Sequence, residues 1–229
     1  MARTLYELSG KNDARFSPFC WRSRFALAHK NLPADLVPVA FGEKQKIAFS
    51  GQQLVPILVD DNATISDSWK IACYLEQQYP KAPSLFGGEI GQAEALLINH
   101  WCDKSVQPPL VQAIILDIFN NVRSDDQPYF RETREKRFGK SFEALYAERE
   151  THLANFRKTL EPARAVIATQ AFLGGAAPIY ADYILAGTLQ WARLASPQEV
   201  LAADDPLRGW RDRVFDLFDG LAHKVSAAA

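Results

Sequence analysis

The sequence is poor in the residues that build disulfide frameworks and metal centres. Three cysteines and four histidines occur among its 229 residues: Cys20, Cys73, Cys102, His29, His100, His152 and His223. Such an odd and sparse cysteine set does not form a disulfide framework and favours a reducing cytoplasm. Because the chain has no C-x-x-C motif, Cys/His cluster or H-E-x-x-H spacing, we expect no metal site.

The sequence also lacks an excess of charge and long apolar runs. Its formal net charge is −1, so no broad basic field is available to attract nucleic acid or an anionic membrane. We find no run of about 18 apolar residues, the length that a membrane-spanning helix needs. Residues 1–10 lack the apolar core of a signal peptide. We therefore expect a cytoplasmic protein with no nucleic-acid or membrane partner.

What is present is an ordinary globular composition, with 48% hydrophobic and 23% charged residues. The first third alternates strand and helix patterns. Strands are predicted at 4–8, 35–41, 55–59 and 63–65. Helices are predicted from Ser17-Pro18 to about residue 30 and from residue 66 or 67 to about 79, so the order is βαβ followed by ββα.

From residue 89 onward only helical patterns remain. Helices are predicted at 92–122, from 127 or 131 to 169 with a bend or break near Gly139, at 181–195 and at 205–224. We therefore predict an α+β chain of two domains, in which residues 1–80 form the βαβ–ββα domain, residues 81–88 a linker, and residues 89–229 an all-helical domain.

Three short motifs in the first domain can bind a small anionic ligand. Ser17 precedes a helix, where free N–H groups and a hydroxyl can stabilise an anion such as a thiolate. In Val55-Pro56, a cis proline at the head of a strand would turn the backbone N–H and C=O of Val55 toward a peptide ligand. Asp67 and Ser68 open a second helix and can hold an ammonium and a carboxylate. Each motif alone fits a helix cap or an ordinary edge proline equally well.

Taken together, the three motifs resemble the glutathione transferase family in their order and spacing, and the resemblance covers nearly the whole chain. It implies a thioredoxin-like glutathione-binding domain followed by a helical domain that binds a hydrophobic electrophile. It also implies that Ser17 activates the glutathione thiol, that Val55 pairs with the cysteinyl backbone, and that Asp67 and Ser68 bind the γ-glutamyl end.

One branch of the family looks closer than the others. The segments that carry this likeness are Ser17-Pro18, Trp21-Arg22, Val55-Pro56, Val59-Asp60-Asp61, Asp67-Ser68-Trp69, Phe172-Leu173-Gly174-Gly175, Ala181-Asp182-Tyr183, Asp204-Asp205-Pro206-Leu207-Arg208 and Phe215-Asp216-Leu217-Phe218-Asp219-Gly220. They resemble the Ser-type, bacterial β-etherase-like branch, whose members use glutathione to cleave lignin-type aryl ethers. The resemblance implies glutathione as cosubstrate, a detoxification role and a homodimer. We expect apolar positions beside the third strand and Trp69 to be exposed for the dimer contact.

The remaining ligand contacts are less constrained by the motifs. For the glycine carboxylate of glutathione we favour Gln53 over Gln52, Lys44 and Lys46. We expect the electrophile pocket to be lined by Phe19, Trp101, Ile115 or its neighbour Ile114, and Trp191. Arg22 fits either a structural or a supporting role.

Two departures from the family pattern leave alternatives open. Cys20 lies three residues after Ser17, so a glutathione-dependent reductase or peroxidase working through Cys20 is one alternative, and a non-catalytic ligand-binding protein is another. Asp182 occupies the acidic position of the capping box of the family's core helix, but Ile179 stands where the hydroxyl residue should be.

Overall fold

The computed structural model describes residues 3–228. The parts of our predictions that concern Met1, Ala2 and Ala229 lie outside these residues. The chain forms a small mixed sheet flanked by helices, followed by a larger helical region, so the predicted α+β class is confirmed. No helix within residues 3–228 combines the length and the apolar content needed to cross a bilayer.

The first region contains four strands and two helices in the predicted βαβ–ββα order. They are β1 (Arg3–Leu8), α1 (Pro18–His29), β2 (Asp35–Val39), β3 (Ile57–Asp60), β4 (Ala63–Ser66) and α2 (Ser68–Gln78). The sheet order is β2-β1-β3-β4, with β1 parallel to β2 and antiparallel to β3. This is the thioredoxin-like arrangement, and a 3₁₀ turn at Lys44–Ser50 occupies the irregular loop before β3.

The helical region begins at Glu89 and contains most of the core. Its helices are α3 (Glu89–Trp101), α4 (Gln107–Asn121), α5 (Gln127–Phe138), α6 (Phe142–Ala147), α7 (Arg149–Thr159), α8 (Glu161–Ile167), α9 (Tyr180–Ala195), α10 (Leu207–Phe215) and the short turn α11 (Leu217–Gly220). A 3₁₀ turn at Ser124–Asp126 precedes α5. Residues 79–88 contain neither helix nor strand, and the division into domains at 80 and 89 remains our proposal.

The helix predicted at 92–122 is interrupted in the middle by a π-helical turn, Cys102–Val106, which joins α3 to α4. The cause lies in Pro108 and Pro109 at the start of α4, since neither has an N–H to donate to the preceding turn. A π turn widens the helix locally and re-aims its side chains. Asp103 and Lys104, which lie in this turn, face the cleft described below.

Two other predicted helices are shorter than expected. The helix expected up to residue 169 breaks near Gly139 as predicted, where φ is 68° and glycine is favoured, and breaks twice more between α6, α7 and α8. The helix expected at 205–224 ends at Phe215, and the following turn contains Phe218 and Asp219 in the left-handed region, with φ of 57° and 58°.

Helix α9 is the buried axis against which the first region packs. A Cβ atom at Gly187 would lie 2.7 Å from the carbonyl oxygen of Pro18, so only glycine lets α1 approach α9 this closely. Arg22 of α1 is completely buried and crosses the same contact. It donates to Asn99 Oδ1 at 3.0 Å, to Asp103 Oδ1 at 2.8 Å and to the Ile184 carbonyl oxygen at 3.3 Å. Arg22 therefore ties α1 to three parts of the helical region.

The start of α9 is held by one buried carboxylate. Asp182 accepts hydrogen bonds from the backbone N–H of Ile179 at 3.0 Å, of Leu173 at 2.7 Å and of Gly174 at 3.1 Å, and from the Trp210 indole at 2.9 Å. The acidic half of the capping box is thus present as predicted. The Ile179 side chain is a hydrocarbon and contributes no acceptor, so the Asp182 N–H donates to the Ile179 backbone carbonyl oxygen at 3.0 Å instead.

Candidate functional site

A cleft of about 470 Å³ lies between the first turn of α1 and the helical region. Its apolar wall is formed by side chains from both regions: Leu8, Phe16, Pro18, Phe19, Val39, Phe41, Ile47, Leu54, Val55, Pro108, Val111, Ile115, Ile118, Phe130, Phe138 and Trp191. Its polar residues are Ser17, Lys44, Gln53, Asp103, Lys104, Gln107, Arg134 and Arg137. A concave, mainly apolar space with a few polar groups is typical of a small-molecule site.

Ser17 lies at one end of this cleft as the N-cap of α1. Its Oγ accepts from the Cys20 N–H at 3.4 Å, and its carbonyl oxygen accepts from the Trp21 N–H at 3.1 Å. Pro18 has no N–H. Among the described contacts, the Phe19 N–H has no acceptor and the Ser17 hydroxyl proton has only the Cys20 sulfur as an acceptor, so an anion at the positive end of the helix could take both donors.

Val55 lies beside Ser17 along the cleft wall. The Val55–Pro56 peptide bond is cis, which confirms that part of the prediction. The strand was expected to begin at Val55, but β3 begins two residues later at Ile57. Within residues 3–228 no hydrogen bond engages the N–H or C=O of Val55, so both groups are free for a ligand backbone.

Asp67 is connected to this position through the backbone. Its N–H donates to the Pro56 carbonyl oxygen at 3.3 Å, and its Oδ1 accepts from the N–H groups of Trp69 and Lys70 at 3.0 and 3.1 Å. Asp67 is exposed and its Oδ2 has no partner among the described contacts, whereas Ser68 is only 2% exposed. The structure therefore brings Asp67 next to the Val55-Pro56 segment, with Ser68 buried beneath it and neither residue in the cleft wall.

Gln53 and Lys44 form the next polar group along the cleft. Gln53 is exposed, and its carbonyl oxygen accepts a hydrogen bond from the Lys44 ammonium. Lys46 is instead paired with Glu43 at 2.9 Å, and Gln52 does not line the cleft. Of the four residues considered for a glycine carboxylate, the structure therefore brings Gln53 and Lys44 to the cleft.

The apolar residues expected in the second pocket divide into two groups. Phe19, Ile115 and Trp191 line the cleft. Trp101 does not, because it ends α3 and packs against the core, and Ile114 is buried on another face of α4. Successive helical residues point about 100° apart, which is why Ile115 reaches the cleft and Ile114 does not.

Cys20 is directed away from the cleft into the first region. It is 2% exposed, and its Sγ accepts from the Leu8 N–H at 3.5 Å. Burial, with a smaller contribution from the charge of Glu7, raises the pKa of the Cys20 thiol to about 12. The residue therefore stays a neutral thiol near neutral pH. Across residues 3–228 no group of three or more His, Cys, Asp and Glu side chains is placed to hold a metal ion.

The sequence reasoning missed the cationic side of the cleft. Lys104 lies in the π turn, which directs it to the cleft. The sequence feature that could have indicated this turn is the Pro108-Pro109 pair inside a predicted helix. Arg134 and Arg137 lie on α5, and their sequence neighbours indicate more clearly that they are free to bind a ligand. Neither arginine has an acidic residue three or four positions away in the sequence, whereas Arg131 has Glu135.

Comparisons with known proteins agree with this geometry. A family model described as the C-terminal domain of glutathione S-transferase matches residues 93–218, which is more than half of the chain, and one for the N-terminal domain matches residues 13–83. The chain belongs to the glutathione S-transferase family. These family models name neither the Ser-type class nor the β-etherase-like branch, so both remain predictions.

Individual members of the glutathione S-transferase family resemble the chain to different extents. A zeta-class glutathione S-transferase of Euphorbia esula is 30% identical over 142 residues, which span 59% of this chain and 61% of that protein. A Ceriporiopsis subvermispora glutathione S-transferase, solved in complex with glutathione, superimposes over all of both chains with a TM-score of 0.82 at 20% identity. One from Rhodospirillum rubrum covers 93% of this chain and 88% of its own, with a TM-score of 0.68 at 26% identity.

Proposed function

We propose that this family member binds glutathione along the Ser17, Val55 and Asp67 side of the cleft and transfers it to a hydrophobic electrophile. The observation that carries the proposal is the first turn of α1. There, the Phe19 N–H has no described acceptor and the Ser17 hydroxyl, whose one described acceptor is the weakly accepting Cys20 sulfur, lies at the edge of an apolar cleft. Support also comes from the Ceriporiopsis subvermispora relative, whose structure contains glutathione.

Glutathione fits the polar groups in a single extended orientation. The Asp67 Oδ2 would accept from the γ-glutamyl ammonium, and the free N–H and C=O of Val55 would pair with the cysteinyl backbone. Gln53, together with Lys44, would face the glycine carboxylate. Ser68 is nearly inaccessible, so we expect it to contribute through its place in the first turn of α2.

The reaction we propose is nucleophilic substitution by the glutathione thiolate. Ser17 Oγ–H donates to the sulfur and stabilises the thiolate, assisted by the N-terminus of α1. The sulfur forms a bond to an electrophilic carbon held against Phe19, Ile115 and Trp191. The leaving group departs with the bonding electrons, as halide from a halogenated aromatic or as aryloxide from an aryl ether. Most of the remaining acceleration comes from proximity.

For the substrate class, we favour aryl ethers or halogenated aromatics and a role in detoxification. The support is the likeness of the Ser17-Pro18, Trp21-Arg22 and Asp67-Ser68 segments to the β-etherase-like branch. The apolar wall of the cleft suits an aromatic ring. A cytoplasmic location, suggested by the sparse cysteines, belongs to the same proposal.

The proposed function extends to a homodimer. Trp69 itself is only partly exposed, because it packs against Phe86 and Tyr180 with ring centroids 5.5 and 5.9 Å apart. Other apolar side chains are exposed instead. Ile90 and Leu97 on α3 are 79% and 70% exposed, and Leu54 before β3 is 73% exposed. Ile90 and Leu97 are two helical turns apart and share one face.

The proposed function is tested by measuring glutathione binding and turnover together. Purified protein is assayed by calorimetry for glutathione, and by mass spectrometry for conjugates with a halogenated nitrobenzene and a β-aryl ether. We expect binding and a conjugate with at least one electrophile. We also expect Cys20→Ala to stay active, because the thiol is buried and does not itself line the cleft.

Two results would select the alternatives. Glutathione binding without any conjugate would favour a ligand-binding protein. A dead Cys20→Ala variant beside an active Ser17→Ala variant, with peroxide or disulfide reduced, would favour the glutathione-dependent reductase.

A further inference from the structure

The side chains that line the cleft carry a net positive charge, whereas the net charge of the whole chain is slightly negative. Four cationic side chains reach it, Lys44, Lys104, Arg134 and Arg137, while Asp103 is its one carboxylate. Asp103 is already paired with the buried Arg22 at 2.8 Å. The chain as a whole carries a formal charge of −1, so the positive charge is concentrated at this site. A cleft of one sign attracts ligands of the other sign.

Arg134 packs in the wall with no carboxylate partner among the described residues. Its guanidinium carbon lies 4.6 Å from the Phe130 ring centroid and 5.5 Å from that of Phe41. Its NH1 donates to the Thr133 hydroxyl at 2.7 Å, and the Tyr129 side chain is another neighbour. Burial lowers the pKa of Arg134, and the nearby charge of Arg137 acts in the same direction. A guanidinium stacked between rings in this way keeps most of its donors for a ligand.

This arrangement differs from that of several other buried or half-buried arginines, which face a carboxylate in the pairs Arg22–Asp103, Arg149–Asp117 and Arg164–Asp205. Half-buried Arg193 has no carboxylate partner among the described residues, but it donates to the Gln190 side chain and to backbone carbonyl oxygens. Arg134 and Arg137 are three residues apart on α5, line the same cleft and repel each other. A bound anion would relieve that repulsion and use the free donors.

Glutathione itself does not require these two arginines. Its ammonium and its glycine carboxylate have proposed partners on the first region, at Asp67 and at Gln53 with Lys44, and its γ-glutamyl carboxylate would lie beside Asp67 at the start of α2. Arg134 and Arg137 lie on the opposite wall, in the helical region beside Phe130 and Phe138. The wall that would hold the second substrate therefore carries both apolar rings and unpaired guanidinium groups.

We propose that the second substrate is an aromatic acid, whose carboxylate is bound by Arg134 and Arg137 while its ring packs against the apolar wall. The proposal rests on the proposed glutathione transfer and narrows its substrate class from a neutral apolar electrophile to an anionic one. Planar guanidinium groups bind carboxylates with two parallel hydrogen bonds, which lysine cannot reproduce.

The test compares two glutathione conjugates that differ in one group. S-(4-carboxy-2-nitrophenyl)glutathione carries the carboxylate, and its carboxamide analogue is neutral. Calorimetry gives the dissociation constants of both conjugates and of glutathione, so the test does not depend on turnover. We expect the wild type to prefer the carboxylate by about tenfold or more, as for a charge-assisted hydrogen bond.

Substitutions on α5 test whether the two arginines cause the higher affinity for the carboxylate conjugate. Arg134→Gln should abolish most of it while leaving glutathione affinity within about twofold, and Arg137→Gln should reduce it partially. Lys136→Gln is the matched control, because it removes the same charge from an exposed position of α5 that does not line the cleft. Arg134→Lys should retain only part of the preference.

The outcomes separate this proposal from the proposed function. Equal affinity of the wild type for the two conjugates would overturn this proposal alone. So would an Arg134→Gln variant that loses glutathione affinity but keeps the preference, since Arg134 would then bind the glycine carboxylate. A wild type that binds neither glutathione nor either conjugate would overturn the proposed function and this proposal with it.

Discussion

At the scale of single residues, burial decides which of two neighbouring side chains can meet a ligand. Ser17 and Cys20 are three residues apart at the start of α1. Ser17 lines the cleft, whereas Cys20 points into the first region and has a pKa raised to about 12. A thiol that is protonated and inaccessible is a poor nucleophile, because the thiolate is the reactive species.

Alkylation of the native protein should therefore modify a single cysteine. Cys20 and Cys102 are buried, and Cys73 is partly exposed. Burial raises the pKa of all three thiols, which slows the reaction near neutral pH. We expect iodoacetamide to label Cys73 first, as judged by peptide mass spectrometry, with Cys20 and Cys102 labelled only after denaturation. Rapid labelling of native Cys20 would contradict its burial and revive the reductase alternative.

Asp67 combines a structural role with the proposed role in binding. Its carboxylate caps α2, and its φ of 78° lies where alanine is disfavoured. Asp67→Asn keeps the cap and removes the charge, so it is the informative variant. Losing a charge-assisted bond to the γ-glutamyl ammonium should weaken glutathione binding by about ten- to a hundredfold. Calorimetry measures this directly. Asp61→Asn, an exposed aspartate in the β3–β4 turn, serves as the control, and an unchanged affinity in Asp67→Asn would refute the assignment.

At the scale of elements, Asp182 shows how one carboxylate can organise several segments. It accepts from the N–H groups of Leu173, Gly174 and Ile179 and from the Trp210 indole, so it joins the loop before α9 to α10. These four donors satisfy a charge that is fully buried. A buried carboxylate destabilises the fold when its hydrogen-bond donors are lost. Removing the carboxylate also lowers the stability of the fold, because its donors are then left without an acceptor.

Replacing Asp182 by alanine should destabilise the fold strongly. Four donors, of which the Trp210 indole is fully buried, would lose their acceptor, which should cost about 3–5 kcal/mol. For a chain of this size, that lowers the melting temperature by roughly 6–20 °C. Thermal unfolding followed by circular dichroism measures the shift. Asp212→Ala removes a half-exposed aspartate of α10 and should shift the melting temperature by only about 1–2 °C. A similarly small shift for Asp182→Ala would show that the four hydrogen bonds contribute little.

The elements also show where sequence reasoning succeeds and where it stops. The caps at Ser17 and Asp67, the break at Gly139 and the βαβ–ββα order were predictable because they depend on local chemistry. The π turn at Cys102–Val106 and the cationic wall were missed. The Pro108-Pro109 pair and the charge spacing on α5 are local signals for them, but which side chains reach the cleft depends on which helix face meets the first region. Trp101 illustrates the same limit. Its residue type suits a pocket, but the direction of α3 places it against the core.

At the scale of the whole molecule, the exposed apolar face of α3 supports a dimer. We expect light scattering at micromolar concentration to give the mass of two chains. Ile90→Glu combined with Leu97→Glu should shift the mass to one chain, because two charges would be buried at the interface. Tyr146→Glu changes an exposed apolar residue on α6 and is the control. A wild-type mass of one chain would contradict the dimer.

The central claim of this account is that Ser17 stabilises the thiolate of bound glutathione. The most direct measurement is an ultraviolet thiolate titration of the glutathione complex for wild type, Ser17→Thr, Ser17→Ala and Cys20→Ala. The hydroxyl bond is stronger to thiolate than to thiol, so Ser17→Ala should raise the pKa of the bound thiol by about one to two units. Ser17→Thr, which keeps the hydroxyl, and Cys20→Ala should stay close to wild type. If Ser17→Ala leaves the titration unmoved, or if Cys20→Ala is the variant that moves it, the account is contradicted.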